Sequence, residues 1–165
     1  SVLGDFGSHF LDYLGIKDKT PATEWSDSRF RDNFHRIKDD WKFWLTMPIL
    51  TPPSEIDFDY DYYITARPIP SWVTKVWLNK NGYLDRPVHT VGHDVSKVEA
   101  MESLGITLML DDGLHNFDDL NESGITCFLF TRPHNESRPT EMRCDTMAEF
   151  GDRVRHFDTV NSTII

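Results

Sequence analysis

Ser96-Lys97-Val98-Glu99-Ala100-Met101-Glu102-Ser103-Leu104-Gly105-Ile106-Thr107-Leu108-Met109-Leu110-Asp111-Asp112-Gly113 is the stretch that decides the architecture. Ser96 carries a hydroxyl suited to capping a helix, and Gly105 lets one end in left-handed backbone. The segment from Ser96 to Leu104 therefore reads as a capped helix. Thr107 to Leu110 follows as a continuous apolar run, too short for a helix of its own and suited to a buried strand. Two adjacent carboxylates close that strand.

The same alternation continues on both sides. Val88 to Val91 reads as a short strand before the helix. After the strand, Asn116 to Ser123 reads as a helix stopped at Gly124, and Thr126 to Phe130 as another buried strand. Further upstream, Phe58 to Ile64 is rich in β-forming residues. Ser71 to Asn81 reads as a helix with Trp72, Val76 and Trp77 inward and Gly82 closing it. Downstream lies a loop with Pro133 and Pro139, then a last helix carrying Met147, Phe150, Val154 and Phe157. Strands separated by helices of roughly ten residues imply right-handed crossovers. The expected fold is α/β, a doubly wound parallel sheet with helices on both faces. Ligands of such sheets sit beyond the carboxyl ends of the strands. Thr65, the Gly92-His93-Asp94 turn and Asp111-Asp112 fall on that edge.

The first third reads differently. Phe10, Tyr13 and Leu14 suit a short helix ending near Gly15. Ser26 or Asp27 can cap a second helix whose Phe30, Phe34, Ile37, Trp41 and Leu45 recur at helical period. Pro48 and Pro52-Pro53 end it. A small helical unit over about 15–53 and an α/β core over about 54–160 are expected within one domain spanning 1–165.

Composition narrows the classes. The 165 residues carry a formal net charge of −10, which disfavours duplex nucleic acid as a main partner. It leaves room for a small phosphorylated ligand held by a few local positive groups. No apolar run approaches the roughly 18 residues a membrane helix needs, and no secretion signal is evident. Two cysteines, Cys127 and Cys144, make no disulfide framework. A reduced cytoplasmic setting is the expectation, with Cys127 buried and Cys144 exposed. Asn121, Asn135 and Asn161 each open an Asn-x-Ser/Thr triplet, read as chance matches without a secretion signal.

Several residues can carry chemistry, each with a plainer alternative. Asp111-Asp112 at a buried strand end calls for compensation, which a hard cation such as Mg²⁺ supplies; alternatively Asp111 caps the next helix and Asp112-Gly113 is a turn. Thr65 can hold a phosphoryl oxygen with its hydroxyl and the N–H groups after it, or it simply ends a strand before a proline turn. Arg67 can pair with a substrate phosphate or with a surface carboxylate. Lys97 can reach the strand edge from the first turn of its helix, or be a solvated helix lysine. His93 fits an acid–base group, a ligand or a turn residue. The histidines show no zinc spacing.

Order and spacing together are more specific than any one of these. Ile64-Thr65-Ala66-Arg67-Pro68, then Lys97-Val98-Glu99, then Leu110-Asp111-Asp112 resembles the haloacid dehalogenase-like phosphatases, and within them the 5′(3′)-deoxyribonucleotidase group. The resemblance is good over roughly Tyr60 to Phe130 and weaker through the helical region, which would be the family's small cap. It implies that Thr65 and Lys97 are catalytic. It implies that Thr65, Ala66, Arg67 and Lys97 bind the substrate phosphate and that Asp111 and Asp112 hold or orient Mg²⁺. It also implies a nucleoside monophosphate substrate and an aspartyl-phosphate path. The family's nucleophile motif is Asp-x-Asp-Gly-Val-Leu-x-Asp-Phe. Val2-Leu3-Gly4-Asp5-Phe6 matches its end, with Ser1 in the glycine place, so both catalytic aspartates would precede Ser1. Asp5 matches a later position and is no nucleophile. Asp57, Asp59 and Asp61 precede the strand and belong at the wrong edge. The alternative is an inactive relative that binds a nucleotide or a protein partner. An absent central strand would leave two edges open, which a homodimer adding a strand could cover. In the cap, Phe43 and Trp44 are expected on the far side of the apolar stripe, free to stack a base.

Overall fold

The computed structural model describes residues 2–24, 26–92 and 96–161. Aspartate caps divide its first third. Asp5 accepts from the Ser8 N–H and opens α1 (Phe6–Tyr13). The single helix expected from Ser26 or Asp27 to Leu45 is instead α2 (Ser28–Arg31), one 3₁₀ turn at Phe34–Arg36, and α3 (Trp41–Leu45). Asp27 accepts from the Arg29 N–H, and Asp40 from those of Lys42 and Phe43, so the chain restarts at each carboxylate. Asp40 also accepts from the Tyr13 hydroxyl at 2.7 Å, tying α3 to α1. This break rotates the helical face. Trp41 lies 47% exposed, while Phe43 (0%) and Trp44 (3%) turn inward, against the expectation that they face out.

The remainder alternates as expected: β1 (Tyr63–Thr65), α4 (Ser71–Lys80), β2 (Val88–Thr90), α5 (Lys97–Leu104), β3 (Leu108–Asp111), α6 (Leu114–Glu122), β4 (Thr126–Phe130), β5 (Arg143–Cys144) and α7 (Met147–Asn161). The Ser96 hydroxyl accepts from the Val98 N–H at 3.1 Å, and Gly105 closes α5 at φ 67°. In α4 Trp77 faces inward as expected, but Val73 takes the place expected of Trp72 and Val76. Val73 and Trp77 are buried, whereas Trp72 is 52% exposed and meets Trp41 edge to face at 5.0 Å. The first strand is shorter than expected. Residues before Tyr63 stay outside the sheet, where Arg86 binds the Asp59 carboxylate and the Tyr60 carbonyl. The short β5 has no clear signal in the sequence. It covers Cys144, which is fully buried, not exposed.

All strands are parallel, in two sheets: β1-β2, and β3-β4-β5. The architecture is α/β, but the described strands do not form one continuous sheet. Alternation along the three-stranded sheet separates its two faces. Met109, Cys127 and Leu129 pack with Met101 of α5 and Phe117 and Leu120 of α6. Leu108, Leu110, Phe128 and Phe130 pack with Met147, Phe150 and Val154 of α7. Ile64 of β1 joins the first of these clusters. Tyr63 and Val88 pack instead with α4 and the aromatic core of α1 and α3.

Candidate active site

The site is built where β3 and β4 end. Asp111 is the last residue of β3 and Lys97 the first of α5, and both are almost fully buried. Their charged atoms, Lys97 Nζ and Asp111 Oδ2, lie 2.5 Å apart across a separation of 14 residues. Asp111 Oδ1 accepts from the Gly113 N–H at 2.7 Å, and Oδ2 also accepts from Asn116 Nδ2 at 3.1 Å. A buried carboxylate is tolerated on these terms, with a cation and further donors on its oxygens. The solvated-lysine reading of Lys97 does not fit this burial.

Asp112 is buried beside it and uses a different set of partners. His134 Nε2 lies 3.0 Å from both its carboxylate Oδ2 and its backbone oxygen. Burial alone would raise this carboxyl's pKa. The His134 hydrogen bond acts against burial and favours the charged form.

Behind the pair stands Asn135, wholly buried. Its Nδ2 donates to the Asp112 and Phe130 carbonyls at 2.9 and 2.8 Å. Its Oδ1 accepts from the Arg132 N–H and from Arg143 Nη1. Asn135 thus ties the end of β3 to β4 and β5, and its burial removes it as a glycan acceptor. Arg132 lies over the Phe130 ring at 4.2 Å and donates from Nη2 to the Val2 carbonyl at 3.1 Å. Burial lowers its guanidinium pKa. His134, Asn135 and Arg132 are absent from the sequence-based site. Their signal was position alone, since Thr131-Arg132-Pro133-His134-Asn135 follows a buried strand at the ligand edge.

Thr65 ends β1, and its hydroxyl accepts from the Arg67 N–H at 3.3 Å. β1 and β2 are parallel, and the chain leaving β2 enters α5, whose first residue reaches Asp111. Among the described residues, no hydrogen bond joins Thr65 to Lys97 or Asp111. Ala66 is exposed beside Thr65. Arg67 turns away from solvent, with its guanidinium over Trp77 at 4.9 Å and Trp44 at 5.6 Å. Its Nη2 meets Met47 Sδ at 3.9 Å, and its buried Nη1 has no partner among the described residues. Desolvation pulls its pKa down to about 10. This is neither a surface ion pair nor an open phosphate clamp. Phe43 and Trp44 lack a free ring face for a base: Phe43 packs against His9, Tyr13 and Phe6, and Trp44 against Phe6. Gly92 is described, but His93 and Asp94 lie outside the described residues. Asp5 is occupied as the cap of α1.

Asp111 and Asp112 offer oxygen donors, the chemistry a hard divalent cation prefers. Among the described residues no cluster of three or more His, Cys, Asp or Glu stands ready for a metal. Any cation here would draw its other ligands from water, substrate or residues outside this set. No described helix is long and apolar enough to cross a membrane. Compared with family models, curated proteins and solved structures, the chain matches none.

Proposed function

We propose that this chain is the larger part of a phosphomonoester hydrolase of the haloacid dehalogenase-like kind, acting on a small phosphorylated substrate such as a nucleoside monophosphate. The observation that carries the reading is the buried Lys97–Asp111 pair at the carboxyl end of β3. A lysine held there by a carboxylate is a fixed positive charge, suited to neutralising oxygens of a transferring phosphoryl group. Thr65, at the carboxyl end of a parallel strand, would offer a hydroxyl to another of those oxygens. Asp111 orients the lysine. Asp112, steadied by His134, is the carboxylate better suited to a Mg²⁺ ion, which would supply charge neutralisation on the phosphate.

The covalent step needs a carboxylate that no described residue of this chain provides. In the proposed reaction an aspartate oxygen bonds to phosphorus as the bond to the leaving oxygen breaks. A second acid protonates that oxygen, and water then cleaves the acyl phosphate. Both groups would come from residues before Ser1. The test is phosphate release from nucleoside monophosphates with Mg²⁺, using a form extended through an upstream Asp-x-Asp. Turnover abolished by Lys97→Ala supports the reading, and no release from any small phosphomonoester overturns it.

One observation favours a second reading. Asp5, the only carboxylate in the entering segment, serves as a helix cap. The chain by itself would then be a binding relative without turnover. Calorimetry with nucleoside monophosphates on a form carrying an upstream Asp-x-Asp separates the two, since binding without phosphate release there fits only this one.

A further inference from the structure

β2 ends its sheet, pairing with β1 alone among the described strands. In a parallel pair, alternate residues direct their N–H and C=O groups to opposite sides. The Tyr63 N–H bonds to the Pro87 carbonyl, and the Thr65 carbonyl accepts from the Val91 N–H. Pro87, His89 and Val91 therefore turn their backbone groups toward β1. Val88 and Thr90 turn theirs outward, where no described backbone group meets them. An edge of this kind is a template for an added strand. Two residues are too few to hold one selectively, so side-chain contacts must supply the rest.

A crevice beside this edge offers them. It holds about 460 Å³ between the end of β2 and the Glu99, Ala100 and Ser103 side of α5. The Thr90 hydroxyl pairs with Ser71 of α4 on the opposite face of the sheet, so His89 and Val91 point to α5. Val91 and Ala100 are buried and make an apolar floor. Glu99 is exposed at the rim. Among the described residues, neither its carboxylate nor the His89 ring has a hydrogen bond or an ion pair. The lysine of α5, Lys97, is committed to Asp111 and does not neutralise Glu99. The Ser103 hydroxyl donates to the Ala100 carbonyl at 2.9 Å, which leaves its oxygen able to accept.

We propose that the β2 edge and this crevice form a docking site for an extended segment of a partner protein that carries a basic side chain. The segment adds its backbone beside β2 and exchanges hydrogen bonds with Val88 and Thr90. Its lysine or arginine enters the crevice, lays its methylene stem on Val91 and Ala100, and brings its charge to Glu99. His89 and Ser103 offer acceptors for its remaining donors. Charge selects the occupant. An unpaired carboxylate on a chain of net charge −10 favours a cation and repels an acidic segment. The site is separate from the Lys97–Asp111 pair and does not depend on the hydrolase reading.

The probes are acetylated and amidated heptapeptides of alternating threonine and valine, each with one lysine at a different inner position. They are titrated at low salt into the isotope-labelled 165-residue chain and followed by NMR. At least one should move the amide resonances of residues 88–91 and 99–103 while β4 changes little. Glu99→Gln should weaken that peptide about threefold. Replacing its lysine by norleucine should weaken it equally, with no further loss in the variant. N-methylation of the peptide amides that face β2 should weaken binding about tenfold. Binding by none of the peptides at millimolar concentration would overturn the proposal. So would equal binding of a glutamate-bearing peptide, or propylammonium binding as tightly as the best peptide, which would make the crevice a small-amine site. Concentration-dependent self-association that protects the Val88 and Thr90 amides would overturn it as well, because a second copy would then hold the edge.

Discussion

Lys97 and Asp111 depend on each other energetically. Removing one partner of a buried ion pair leaves an uncompensated charge, which typically costs about 3–5 kcal/mol. Lys97→Met should therefore destabilise the protein by about 3 kcal/mol in urea unfolding, and adding Asp111→Asn should recover part of that loss. A single-variant cost below about 1 kcal/mol would mean that the pair is hydrated. Tyr83 is a second residue with a readable titration. Burial raises its pKa from 10.0 to about 12, and its hydroxyl donates to the Thr51 carbonyl at 2.6 Å. The unfolded chain loses this proton first, so the stabilisation is complete below pH 10 and is lost as pH rises to about 12. Arg67 has the opposite sign: burial lowers its pKa to about 10, and the cost of its cation starts to ease only above that pH. The stability difference between the native protein and Tyr83→Phe isolates the tyrosine and should shrink across pH 10–12. Cys127 and Cys144 are buried, and burial raises both thiol pKa values. A thiol-specific chromogenic reagent at pH 8 should label neither until the protein unfolds.

Among the elements, α3 shows how local chemistry overrides periodicity. The apolar spacing from Phe30 to Leu45 suits one helix, but the Asp40 carboxylate offers the Lys42 and Phe43 amides a better start. Asp40→Ala removes this cap and the Tyr13 contact, and should cost about 1–2 kcal/mol in thermal or urea unfolding. Elements with explicit punctuation were legible from sequence. The helix between Ser96 and Gly105 begins and ends on capping groups, and β4 occupies the expected Thr126–Phe130. The inward face of α4 was misjudged because Trp72, Val73, Val76 and Trp77 offer apolar residues in two phases, and only tertiary packing selects one. β5 was not legible, because two residues carry no period.

Across the whole molecule, Asn135 joins parts that the sequence reads as separate. It links the carboxylate turn after β3, the end of β4 and Arg143 of β5. Asn135→Ala leaves several buried groups without partners, each worth about 1–3 kcal/mol. It should lower the melting temperature by more than the substitution of any exposed asparagine, with α1–α3 affected least. The parallel α/β plan and the Lys97–Asp111 pairing could be anticipated, since both follow from strand order and the ligand edge. The division into two sheets, the burial of Arg67 and the supports around Asp112 could not, because each depends on distant segments meeting. The exposed Trp41–Trp72 corner has an optical consequence. Trp44 and Trp77 are sealed beside a guanidinium, whereas Trp41 and Trp72 meet the solvent at the α3–α4 seam. Native emission should therefore contain a red-shifted component that acrylamide quenches and a blue-shifted component that it does not reach. Parting of α3 from α4 would shift both components, because Trp44 lies on α3 and Trp77 on α4 with Arg67 against both rings.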